Sequence, residues 1–129
     1  MKRFFTATVL ILGTVAFSFA QKDTGAVLKF DDSKQNFGFV RDGEVVQMPY
    51  KFTNTGTKPV IIKEVKVSCG CTVVDFPKTP ILPGQKGVIK ISFDTHGKYD
   101  RQDRTVDVIS NANGSPQQLR FKGVVLKPK

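Results

Sequence analysis

Cys69-Gly70-Cys71 is the place in this sequence where residue type and spacing together suggest chemistry, and these are its only two cysteines. Two thiols one residue apart can close a disulfide, exchange thiol for disulfide with another molecule, or hold a soft metal. In a regular strand their β-carbons would lie about 6.6 Å apart, twice the rise per residue. A disulfide brings β-carbons to roughly 3.5–4.5 Å. The bridge therefore requires a bend, and Gly70 is the residue free to make one. A local Cys69–Cys71 disulfide, or a pair of buried thiols with no further role, is the leading expectation. Strain in so small a ring would favour a redox-active pair, which is the second reading. The third is a copper or zinc site made by Cys69, Cys71 and His96, the single histidine. A tetrahedral zinc would still need a fourth ligand, with Met48 or Asp94 the only guesses. His96 lies in a polar loop, where a ring facing solvent is the ordinary outcome.

Other constellations are weaker. One histidine cannot supply the paired ligands of a metalloprotease helix, and neither a nucleophile elbow nor a phosphate-cradling glycine loop is present. Asp31-Asp32 is an adjacent pair whose side chains diverge, which suits a turn better than acid–base work. Tyr99, Arg101 and Arg104 could make a contact patch, although a solvated loop is the plainer reading. No catalytic residue and no cofactor is expected, and an enzyme is not.

The elements that must position the thiols are strands. Val60 to Thr72 is rich in Val, Ile and Thr, which are stiff at χ1 and suit a pleated surface. Counting by twos places Ile61, Val65, Val67, Cys69 and Cys71 on one face, with Lys63 the misfit, so both thiols should face the core. Val45–Thr53 alternates, with Met48, Tyr50 and Phe52 on one side. Pro49 removes a ladder donor there, which predicts an edge or a bulge. Gly87–Thr95 alternates most cleanly, and Thr105–Ser110 and Leu119–Leu126 follow the Asp/Gly/Asn-rich pattern of turns and strands. Val27–Phe30 and Asn36–Val40 read as one interrupted strand that continues on a second sheet. Pro77 to Gly84, with three prolines, must be a loop. Seven to eight short strands with no helical stripe predict an all-β, immunoglobulin-like antiparallel β-sandwich.

The chain has 129 residues. Met1-Lys2-Arg3, an apolar run from Phe4 to Phe19, and small residues at Ser18 and Ala20 have the pattern of a signal peptide over residues 1–20. That run is slightly shorter than the roughly 20 residues of a membrane span, so no stable span is expected after cleavage, and retention as an anchor is the minor alternative. Residues 21–28 are expected to form a flexible leader and residues 29–129 the domain. The protein should then be periplasmic or secreted, which suits a disulfide. Loss of Lys2 and Arg3 lowers the formal net charge from +9 to +7. The remaining basic residues are spread singly among apolar ones, without the aromatic-interleaved cluster that binds nucleic acid. A solvated sheet surface is the plain reading, and anionic glycans or membrane surfaces are better counterparts than DNA.

Phe52-Thr53-Asn54-Thr55-Gly56, Pro59-Val60, Cys69-Gly70-Cys71-Thr72, Leu82-Pro83-Gly84 and the Gly87–Phe93 strand occur in a recognisable order. In this the chain resembles the exported domain-of-unknown-function family 1573, over roughly Lys29 to Leu126. That family is similar to immunoglobulin-like modules of the ASH, major-sperm-protein and Hydin type. The resemblance implies a fold and no activity. Together with the missing catalytic set, it leads to an expectation of a module that binds or scaffolds a protein or a cell-envelope polymer. A thiol-redox or soft-metal protein built on Cys69 and Cys71 is the alternative.

Overall fold

A computed structural model describes residues 24–128. Within them the alternating segments form β1 (Leu28–Phe30), β2 (Lys34–Arg41), β3 (Val45–Asn54), β4 (Ile62–Val67), β5 (Thr72–Asp75), β6 (Lys86–Asp94), β7 (Asp100–Ser110) and β8 (Gln117–Leu126). They make two four-stranded sheets, ordered β1-β3-β6-β5 and β2-β8-β7-β4. Tyr50, Phe52, Ile89, Ile91 and Phe93 from the first sheet meet Val106, Val108, Leu119 and Phe121 from the second in one buried core. This is the expected immunoglobulin-like sandwich, all-β and mostly antiparallel. The exception is β2, which runs parallel to β8. The chain pairs with β3 through Phe30, crosses at Asp31–Ser33, and joins the opposite sheet at Lys34. The turn residues make that crossing, with Asp32 Oδ1 accepting the Lys34 amide at 3.0 Å.

Several boundaries differ from the sequence reading. The proposed signal peptide, residues 1–20, lies outside the described residues, as do residues 21–23. The leader assigned to residues 21–28 extends too far: Ala26 and Leu28 are buried, and the Gly25 carbonyl accepts the Thr57 amide at 2.8 Å. β7 begins at Asp100, where a loop was expected, because its first residues pair with β8 from Val125 back to Lys122.

The largest correction concerns Val60 to Thr72. Val60 and Ile62 are buried and Ile61 is exposed, the reverse of the expected phase. Val60 makes an isolated bridge with Ile81, and Ile62 pairs with Ser110. A bulge at Lys63 inserts one extra residue and shifts the phase, so that Val65 turns inward opposite Val108. The strand then ends at Val67, before either thiol.

Pro49 sits at an edge in a restricted sense. β3 is flanked by β1 and β6, but β1 covers only Phe52, Thr53 and Asn54. In an antiparallel ladder the N–H and C=O of one residue point to the same side. The Pro49 carbonyl faces away from β6 and accepts the Gln35 side-chain amide at 2.6 Å. The missing N–H would have pointed the same way, so the β3–β6 ladder loses nothing.

Candidate functional site

Cys69 and Cys71 are joined by a disulfide, with Cα atoms 5.2 Å apart. The ring occupies the four-residue connection between β4 and β5, where the chain passes from one sheet to the other. Both cysteines are half-buried, Gly70 is exposed, and only Cys71 packs against the core. They therefore lie at one end of the sandwich, at the rim of the core, with Cys71 against it as expected and Cys69 not, because the strand that was to carry both inward stops at Val67. Backbone bonds hold the loop: the Cys69 carbonyl accepts the Thr72 amide at 3.2 Å, and the Cys71 carbonyl accepts the Asp94 amide at 2.9 Å. The Cys71 amide also points at Cys69 Sγ, 3.2 Å away.

His96 lies on the β6–β7 turn, exposed, with its amide donated to Asp94 Oδ1 at 3.0 Å. Among the described residues no group of three or more His, Cys, Asp or Glu is placed to hold a metal. The set Cys69, Cys71 and His96 is thus not assembled: the sulfurs are bonded to each other and the imidazole faces solvent. Of the other two guesses, Met48 is buried in the core and Asp94 caps the His96 turn.

The Tyr99–Arg101–Arg104 patch separates into two parts. Arg101 faces outward on β7, while Arg104 points inward, donating to Gln102 Oε1 at 3.0 Å and lying 5.8 Å from the centroid of the Phe93 ring. Tyr50 is also structural. Its hydroxyl donates to the Arg120 carbonyl at 2.8 Å, and burial, helped by nearby Asp32, pushes its ionisation far above the usual phenol range.

One surface feature escaped the sequence reading. In β2 the pairing with β8 slips between Asn36 and Gly38, leaving Phe37 as an extra residue. Asn36 Oδ1 accepts the Gly38 amide at 2.9 Å, and Gly38 adopts φ +73°. Phe37 turns inward onto Phe93 and Phe121, at centroid distances of 5.9 and 6.5 Å. In an unbroken strand Phe39 would face the same way. The bulge reverses it, and Phe39 is 76% exposed. It lies beside Val124, with Leu126 exposed two residues further along β8. Arg41, Arg101 and Lys122 stand around these three apolar side chains, all exposed. The nearby acids Asp103 and Asp42 are both engaged: Arg120 Nε donates to Asp103 Oδ1 at 2.7 Å, which holds that carboxyl below the usual range, and Asp42, beside Arg41 and Leu126, accepts the Gly97 amide at 2.8 Å. The net character of the patch is apolar with a basic rim. The signal that could have found it is the Asn-x-Gly spacing inside a strand, a bulge signature.

Comparisons with known proteins agree with this architecture. The family model "Protein of unknown function (DUF1573)" matches residues 28–125. No curated protein sequence matches the chain. Among solved structures, a protein of unknown function from Porphyromonas gingivalis is similar at TM-score 0.69 and 18% identity, over 84% of this chain and 51% of that one. The human ASH/PapD-like domain 7 of CEP192 is similar at TM-score 0.67 and 10% identity, over 98% of this chain and all of that domain. The secreted serine protease VesC from Vibrio cholerae is similar at TM-score 0.61 and 14% identity, over 77% of this chain. This chain spans about half of the Porphyromonas protein and 23% of VesC. At such identities the likeness concerns the fold alone.

Proposed function

The chain belongs to the DUF1573 family, which brings a fold and no activity, and from that premise we propose that it is an exported, non-enzymatic module that docks an acidic partner protein. The observation that carries this reading is Phe39, held outward by the β2 bulge beside Val124 and Leu126. A single exposed apolar side chain is ordinary, but a contiguous apolar surface rimmed by polar residues marks an interaction site. Aromatic and aliphatic side chains ringed by charge have the anatomy of a protein interface, in which a few central residues supply most of the affinity. The rim of Arg41, Arg101 and Lys122 selects for acidic groups and would speed encounter at low salt. Export rests on the residue 1–20 pattern, and an oxidising compartment agrees with the disulfide. The non-enzymatic reading rests on the described ionisable groups, of which those with clear shifts (Tyr50, Asp103 and Arg120) all serve packing or pairing.

A photo-crosslinking residue placed at position 39 in the full chain, in cells, tests the reading. Covalent capture of one envelope protein from position 39 and not from position 86, weakened by salt and lost when Arg101 is replaced by Glu, is the expected result. Capture of an anionic polymer instead, or equal labelling at both positions, would overturn it. Appearance of the product in the cytoplasmic fraction would remove the export part.

A further inference from the structure

We infer that Cys69–Cys71 is a reversible thiol–disulfide exchange site that accepts electrons from dithiols on other molecules, a role separate from the Phe39 face. The bridge is confined to one connection and ties no two strands together. The loop is also held by the Thr72 amide on the Cys69 carbonyl and the Asp94 amide on the Cys71 carbonyl, bonds in which the sulfurs take no part. The loop is open at its tip, where Gly70 is exposed and a β-carbon would meet nothing within 4 Å, while both cysteines are half-buried and Cys71 is the one packed against the core. The two sulfurs also differ: Cys69 Sγ receives the Cys71 amide at 3.2 Å, while Cys71 Sγ has the Thr72 hydroxyl at the longer distance of 4.0 Å. A hydrogen bond to a charged group favours the charged form, so Cys69 is the better thiolate leaving group.

The exchange proceeds in two displacements. A substrate thiolate attacks Cys71 Sγ and forms a mixed disulfide, while the Cys69–Cys71 bond breaks and its electron pair passes to Cys69 Sγ, under the Cys71 amide. The second substrate thiolate then attacks the substrate sulfur of that mixed disulfide. Cys71 leaves as a thiolate, and the protons released by the substrate return through water to Cys69 and Cys71. The substrate departs as a disulfide, two electrons poorer, and this chain holds a dithiol. A second molecule bearing a disulfide restores the bridge by the reverse path.

The test uses the intact chain equilibrated with millimolar buffers of reduced and oxidised glutathione, quenched by thiol alkylation and mapped by mass spectrometry. The bridge should titrate between oxidised and reduced forms across these buffers. Trapped glutathione should sit on Cys71 in about tenfold excess over Cys69, the effect of one hydrogen bond to a charged group. The reduced protein should keep a single cooperative melt. A Cys69→Ser variant should hold glutathione on Cys71, and the wild-type map decides the matter if that variant does not fold. A bridge untouched by millimolar glutathione, capture mainly on Cys69, or loss of the melt on reduction would each overturn the inference.

Discussion

Asn54 is fully buried, and its side chain binds two loops together. Nδ2 donates to the carbonyls of Lys58 and Ile81, at 2.8 and 2.9 Å, and Oδ1 accepts the Gly56 amide at 2.9 Å. Its own carbonyl accepts the amide of Gly84, which adopts φ +81°. The Asn-Thr-Gly and Leu-Pro-Gly motifs, separate in sequence, are therefore one structural unit. Gly56 is required there as well, since a β-carbon would fall 2.0 Å from the Gly25 carbonyl oxygen. Asn54→Ala leaves buried acceptors unpaired and should destabilise the domain by about 2–4 kcal/mol in urea titration. Asp103 gives a milder, pH-dependent effect. Its folded-state pKa is lowered, first by the Arg120 hydrogen bond. Its contribution is therefore present above the ordinary carboxylate range and is lost as pH falls through the depressed value. Asp103→Asn should melt below wild type at neutral pH, with the gap closing in acid, and the gap should be small because the pair is exposed.

At the scale of the element, two bulges and a proline decide which edges and faces are usable. On the flank of β3 that β1 does not cover, Pro49 lacks an N–H and its carbonyl is taken by the Gln35 side chain. Pro49→Val supplies an N–H and a flat, β-prone edge, and should produce concentration-dependent association in sedimentation with little change in melting temperature. The bulge in β2 sets Phe37 against Gly123, where a β-carbon would come within 2.2 Å of the Phe37 ring. Gly123→Ala should expel that ring and cost about 1–3 kcal/mol, the usual range for overpacking. Phe39→Ser touches no buried contact and should leave the urea midpoint nearly unchanged while abolishing co-purification of the partner. A fall in stability comparable to that of Gly123→Ala would show that Phe39 serves packing instead.

For the whole molecule, the two sheets carry the stability and the disulfide adds little. A bridge that closes a loop of only about three residues has a chain-entropy estimate of about 1.6 kcal/mol, against about 3 for a loop of roughly 15 residues. The Cys69→Ser, Cys71→Ser double variant should thus unfold in one transition, displaced by about 1–2 kcal/mol in denaturant. Loss of cooperativity would mean that the crossing loop is an organising element after all.

The sequence alone determined the architecture, because in-and-out alternation with period two, punctuated by Gly, Pro and Asn, leaves two stacked sheets as the way to bury Met48, Tyr50, Phe52, Ile89, Ile91 and Phe93 together. It also singled out the cysteine pair and the need for a bend at Gly70. Only the tertiary structure decided which way Phe39 and the thiols face. A single inserted residue reverses every side chain beyond it, and whether one is inserted depends on the neighbouring strand: Ser110 and Ile109 for β4, Lys122 and Gly123 for β2. Local composition records that a bulge is possible at Asn36-Phe37-Gly38, and pairing across the sheet makes it real.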